Sequence, residues 1–164
     1  MSTGKPDAGA VSSAVGLVNI EIRLTHAFDI RLDFDKRLIF GPVSGGARQG
    51  YVPLKSGVIR GPRLNGRVMD LSGADWATVR TDGVVETNAH YMLEADDGTP
   101  IYIQNRGYIY NTQPNAPGPA YFRCTPYFRA PVGKHDWLNR TVIVGGGERH
   151  ADPDYTLFRY YSVD

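Results

Sequence analysis

A single cysteine, Cys124, excludes an intramolecular disulfide in this 164-residue chain. A chain without disulfides fits a reducing compartment, so a cytoplasmic location is expected. No apolar run approaches the ~20 residues that a membrane-spanning helix needs. The opening segment MSTGKPDAGAVSSAVG has no apolar core of the signal-peptide kind. Residues 1–14 are read as a flexible tail and residues 15–164 as a single domain. The net charge of +1 leaves no broad basic field, so neither nucleic acid nor a membrane is an expected partner.

Motifs are scarce too. The four histidines, His26, His90, His135 and His150, show no HxH or HxxxH spacing, and no metal site is expected from them. There is no phosphate loop, no GxGxxG and no nucleophile elbow, so no cofactor is expected. Nothing beside Cys124 in sequence would lower its pKa, which favours a small buried hydrophobe over a nucleophile. No stretch of ten or more residues sustains a capped, 3.6-residue apolar period.

What the sequence does have is period-two alternation punctuated by glycine (19) and proline (11). In Leu17–Leu24, Val18, Ile20 and Ile22 alternate with Asn19, Glu21 and Arg23. Further strands are expected at Asp29–Phe34, Leu38–Phe40, Gly50–Leu54, Val58–Ile59, Leu64–Leu71 and Trp76–Arg80. Lys55-Ser56-Gly57 reads as a turn. Val84–Ala95 and Pro100–Tyr110 flank Asp96-Asp97-Gly98, the strongest hairpin signal in the chain. Residues 111–120 read as a proline-rich loop, followed by strands at Tyr121–Tyr127, Trp137–Gly145 and Tyr155–Val163, with a break at Gly145-Gly146-Gly147. The pattern predicts an all-β fold, a closed antiparallel meander barrel of about eight to ten strands, with a β-sandwich as the alternative.

Along Val84–Ala95, Glu86, Asn88, His90 and Met92 share one face, and Val85, Thr87, Ala89, Tyr91 and Leu93 the other. Two readings stand. The polar set is a solvated face, or it lines a polar lumen where carboxylate, amide and imidazole suit acid–base work. Arg106 falls opposite this stretch, either as an ion-pair partner of Glu86 or as a holder of developing negative charge.

Several short motifs occur in a fixed order: Gly46 with Arg48, Gly61-Pro62 with Gly66, Asp75-Trp76, Asp82-Gly83, Ala89 with Tyr91, Asp97-Gly98, Phe128, and Trp137-Leu138-Asn139. In this the chain resembles a family of bacterial and fungal proteins catalogued as domain of unknown function 3237. The resemblance implies a calycin-like or allene-oxide-cyclase-like barrel, often dimeric. It also hints at cofactor-free lyase, isomerase or cyclase chemistry. The chain departs from the family pattern at Asn88-Ala89-His90-Tyr91, where relatives read Asp-Ala-Arg-Tyr. It departs again at Phe128-Arg129-Ala130, where they read Phe-Glu-Thr, and at His135, where tyrosine is usual.

The expectation is therefore a cofactor-independent enzyme acting by proton transfer on a small oxygenated or aromatic metabolite in a barrel-mouth pocket. His90 would be the acid or base with Glu86, and Arg48 and Arg106 would hold negative charge. Asn88, Trp76, Tyr102, Arg129, His135 and Trp137 would contact the substrate. A homodimer is the expected assembly. A non-catalytic carrier and a purely structural domain are the competing classes; the carrier predicts a mainly apolar lumen, the structural domain none.

Overall fold

The computed structural model describes residues 20–111 and 121–164. Eleven strands form one sheet: β1 (Leu24–Phe34), β2 (Leu38–Phe40), β3 (Arg48–Arg60), β4 (Gly66–Val68), β5 (Ala74–Asp75), β6 (Thr78–Val79), β7 (Val85–Ala95), β8 (Pro100–Tyr110), β9 (Tyr121–Arg129), β10 (Ile143–Ala151) and β11 (Asp154–Val163). The order is β1-β11-β10-β9-β8-β7-β4-β3-β2, and an additional β1–β3 pairing closes it. Because β4, β5 and β6 run end to end between β3 and β7, they act as one broken stave. The result is a closed eight-stave antiparallel barrel, as the alternation predicts. Closure leaves the main staves without an unpaired edge.

The hairpin at Asp96-Asp97-Gly98 forms as expected. Gly98 takes a positive φ of 83°, Gly98 N–H donates to Ala95 O, and Asp97 Oδ1 accepts from Thr99 N–H. Two other glycine signals misled. Lys55-Ser56-Gly57 is not a turn but the middle of β3; a Cβ at Gly57 would sit 2.4 Å from Arg31 O and 2.6 Å from Val68. Gly145-Gly146-Gly147 does not break a strand but lies inside β10. A Cβ at Gly145 or Gly147 would come within 2.6 Å of the Tyr160 or the Phe122 ring, so glycine serves packing there. The strand expected at Leu17–Leu24 begins only at Leu24, and Ile20 and Ile22 are exposed. Residues 17–19, the tail at 1–14 and residues 112–120 lie outside the described residues.

Inward positions carry the core: Phe28, Ile30 and Leu32 from β1, Tyr91 and Leu93 from β7, Ile101 and Ile103 from β8, Phe128 from β9, and Phe158 and Tyr160 from β11. Each fully buried side chain of this size contributes about 1.5–3 kcal/mol. One end of the barrel is plugged. A short 3-10 helix, Asp136–Asn139, buries Leu138, and Trp137 packs edge-on against Phe28 with 6.5 Å between ring centroids. His135, 4% exposed, holds this plug to the β7–β8 turn by a 2.8 Å contact from Nε2 to Asp97 Oδ2. No helix among the described residues is long and apolar enough to cross a membrane.

Candidate functional site

At the opposite end no described residue forms a comparable plug. A small cavity of about 70 Å³ lies there, lined by inward side chains that include Asp75, Thr87, Ala89, Asn105, Arg149 and Phe158, with Arg37 at its border. Register explains why Asp75 points in. It pairs with Val52 of β3 and Ala89 of β7, both of which face the core. Side chains directly opposite in an antiparallel pair share a face.

Asp75 is half-buried, and the loss of solvent around it pushes its carboxyl up to about 6. The backbone N–H of Asn88, which donates to Asp75 Oδ1 at 2.7 Å, and the Arg37 charge pull the other way. Arg37 is itself held by Asp154 through contacts of 2.8 and 3.1 Å, and Arg149 lies 3.6 Å from the same carboxylate. Two guanidiniums therefore share one carboxylate beside the cavity, which leaves surplus positive charge near Asp75. A carboxyl raised to about 6 beside fixed cations can exchange a proton with a bound molecule.

Deeper in the same interior, Asn105 Nδ2 donates to Tyr160 Oη at 2.9 Å. Burial raises the Cys124 thiol to about 11, so it stays protonated and is not a nucleophile at neutral pH.

The residues expected from sequence are placed differently. The buried face of β7 is Thr87, Ala89, Tyr91, Leu93 and Ala95. Glu86, Asn88 and His90 are half-buried on the outer face, so the expectation that they line the lumen is corrected. The apolar alternate set takes the interior because its burial is worth more than that of an amide, a carboxylate and an imidazole. On that outer face His90 Nδ1 lies 2.7 Å from Tyr102 Oη, and Gln104 Nε2 donates to Asn88 Oδ1 at 2.8 Å. Arg106 stands opposite Asn88, while Glu86 pairs with Arg80 at 3.1 Å, so the Glu86–Arg106 ion pair does not form.

Trp76 also points outward and packs, tilted, against Tyr51 at 4.7 Å between centroids. Arg129 lies outside, over the Tyr127 ring. His135 and Trp137 belong to the plug at the far end; they hold the barrel shut instead of contacting a ligand in this cavity. Arg48, paired with Val79, is on the inward parity at the end away from the plug and is exposed. Glu86 and Arg106 do line a broad, open groove of about 880 Å³ on the outside, beside Arg123 and Arg159. Of the charged side chains that line this groove, Arg106, Arg123 and Arg159 are exposed and Glu86 is half-buried.

Sequence reasoning passed over Asp75 because it treated the residue only as half of a two-residue motif. The available signal was its place between Ala74 and Trp76. Continuing the β7 pairing across to that segment would have set Asp75 beside Ala89, on the apolar side.

The chain is 30% identical over 153 residues to a UPF0311 protein of Clostridium acetobutylicum, covering 87% of this chain and 95% of that one. A β-barrel-like protein from Acinetobacter baumannii superposes with a TM-score of 0.83 at 27% identity, covering 90% of this chain and 99% of that one. Over 96 residues the chain is 27% identical to a hydroalkoxylation enzyme of Penicillium herquei, covering 56% of this chain and 52% of that enzyme. Residues 22–163, nearly the whole barrel, match the family described as Protein of unknown function (DUF3237), and the chain belongs to that family.

Proposed function

We propose that this barrel is an acid–base enzyme needing no organic cofactor, which adds an O–H group across a carbon–carbon double bond of a small oxygenated or aromatic metabolite, or runs the reverse elimination. The observation that carries this reading is a half-buried carboxyl with a raised pKa, Asp75, lining a cavity that Arg37 and Arg149 also line. In the addition, the proton of Asp75 goes to one alkene carbon. The substrate oxygen bonds to the other carbon, and its own proton returns to the carboxylate. Between the two transfers the negative charge rests on the Asp75 carboxylate, which the Arg37 charge stabilises. The partial similarity to an enzyme named for hydroalkoxylation, which is this class of addition, supports the choice of reaction. A passive carrier would be served by an apolar lumen, and three charged side chains converging on the cavity speak against it.

The test is turnover of 2-allylphenol and related alkenyl phenols and alcohols in heavy water. Expected is a cyclic ether bearing one deuterium on carbon, with kcat lowered by about 10²–10⁴-fold in a folded Asp75→Asn variant. Wild-type rates in that variant, or no turnover across the series, would overturn the proposal.

A further inference from the structure

Two side-chain atoms in the wall of the cavity that Asp75 lines have no partner. Thr87 Oγ1 and Asn105 Oδ1 are buried and make no hydrogen bond, in residues only 8% and 3% exposed. Both residues are inward-facing and line the same cavity as Asp75. Asp75, Ala89 and Asn105 lie in one register row across β5, β7 and β8, and Thr87 is two residues from Ala89 along β7. Neighbouring strands are ~4.8 Å apart, so about 10 Å separates the backbones of Asp75 and Asn105, with only the small Ala89 side chain between them.

Buried polar groups are nearly always paired, because leaving one unpaired costs stability with no return inside the protein. Two such atoms, in one wall and beside one acid, match a ligand group that both donates and accepts. Asn105 Nδ2 already donates to Tyr160 Oη, so Oδ1 calls for a donor. The Thr87 hydroxyl serves in either direction. A hydroxyl on the ligand answers both, and the alternative amide orientation as well.

We propose that Thr87 and Asn105 form a hydroxyl-recognition subsite in one wall of the cavity, selecting substrates that carry an alcohol or phenol there. This rests on the reading that the cavity takes substrate, and deepens it by naming what that wall recognises. The subsite holds the hydroxyl end of the molecule, while Asp75 acts on the carbon–carbon double bond.

The experiment is binding of phenol against toluene, its counterpart without the hydroxyl, followed by calorimetry and by the side-chain amide signals of Asn105. Wild type is expected to bind phenol about tenfold more tightly than toluene, with the Asn105 amide shifting on binding. Thr87→Val keeps shape and removes one partnerless atom, so it is expected to melt no lower than wild type while the preference drops to about twofold or less. Asn105→Leu is the second variant. Equal binding of the two probes by wild type, no phenol binding at millimolar concentration, or an undiminished preference in folded Thr87→Val and Asn105→Leu would each overturn the subsite. Asp75→Asn separates the two claims. Preference retained without turnover supports both. Preference retained with full turnover overturns the catalytic reading alone.

Discussion

The backbone N–H of Asn88 donates to Asp75 Oδ1 at 2.7 Å, from a residue whose side chain lies on the opposite face of the sheet. One strand thus serves two surfaces. Its main chain fixes the acid inside the barrel, while its amide, imidazole and carboxylate decorate the outside. The same hydrogen bond leaves Asp75 Oδ2 without a protein donor among the described residues, available to a bound molecule.

Asp75 should set the pH dependence of stability. Its folded pKa, about 6, lies above the ordinary 3.8, so the native state binds more protons between those values. Stability therefore falls as pH rises from about 4 to about 6, and the full penalty persists above that. Asp75→Asn removes it. Thermal melts near neutral pH should show a gain of about 2–3 kcal/mol, converging with wild type below about pH 4. A neutral or destabilising effect near pH 7.5 would contradict a buried carboxyl there.

In turnover the same group acts as a proton donor. kcat/KM for the addition is expected to fall about tenfold per pH unit above about 6, where the carboxyl is ionised. A pH–rate profile that is flat from 5 to 8, or rises across that range, would remove Asp75 from that role.

Substitutions on the outer face should leave activity alone. His90→Ala loses a contact to Tyr102 but touches nothing in the cavity. Its kcat/KM is expected within about threefold of wild type. A loss of a hundredfold would return the chemistry to the outside of the barrel.

The glycine run in β10 gives a stability test. At Gly145 a methyl would press on the Tyr160 ring at 2.6 Å and on Cys124 Sγ at 3.0 Å; at Gly146 the nearest atom is the end of Arg123, 3.5 Å away. Gly145→Ala should cost about 1–3 kcal/mol and Gly146→Ala much less, measured by urea unfolding. Equal losses at the two positions would mean that the aromatic packing yields freely.

At the plug, hydrogen bonds from Thr99 and His135 hold the Asp97 carboxyl well below its usual range. A depressed carboxylate contributes stability above its unfolded pKa and loses it as pH falls. His135→Ala should destabilise by about 2 kcal/mol near neutral pH, because it also empties a buried site. Asp97→Asn should flatten the acid limb of the stability curve. An acid limb unchanged in Asp97→Asn would dissociate the plug from this pair.

Much of the barrel was legible in residue order. Pro100–Tyr110 begins and ends where alternation sets it, and the Asp97-Gly98 turn follows from local backbone chemistry alone. The glycines were harder. Gly57 and Gly145 read as punctuation, yet each exists because a non-local neighbour, Val68 or Tyr160, crosses too close for a Cβ. The site was harder still. Alternation in β7 divides its side chains into two faces, and a lumen with a carboxyl made the polar face an attractive interior. The acid in the interior comes instead from β5, a two-residue strand too short to show a period. Only the register across β3, β5 and β7 reveals it.

The Asp136–Asn139 turn stoppers the barrel at the end where Trp137 meets Phe28. Among the described residues that end gives a guest no way through. On the proposed activity, entry and exit would share the other end, and product would compete directly with fresh substrate.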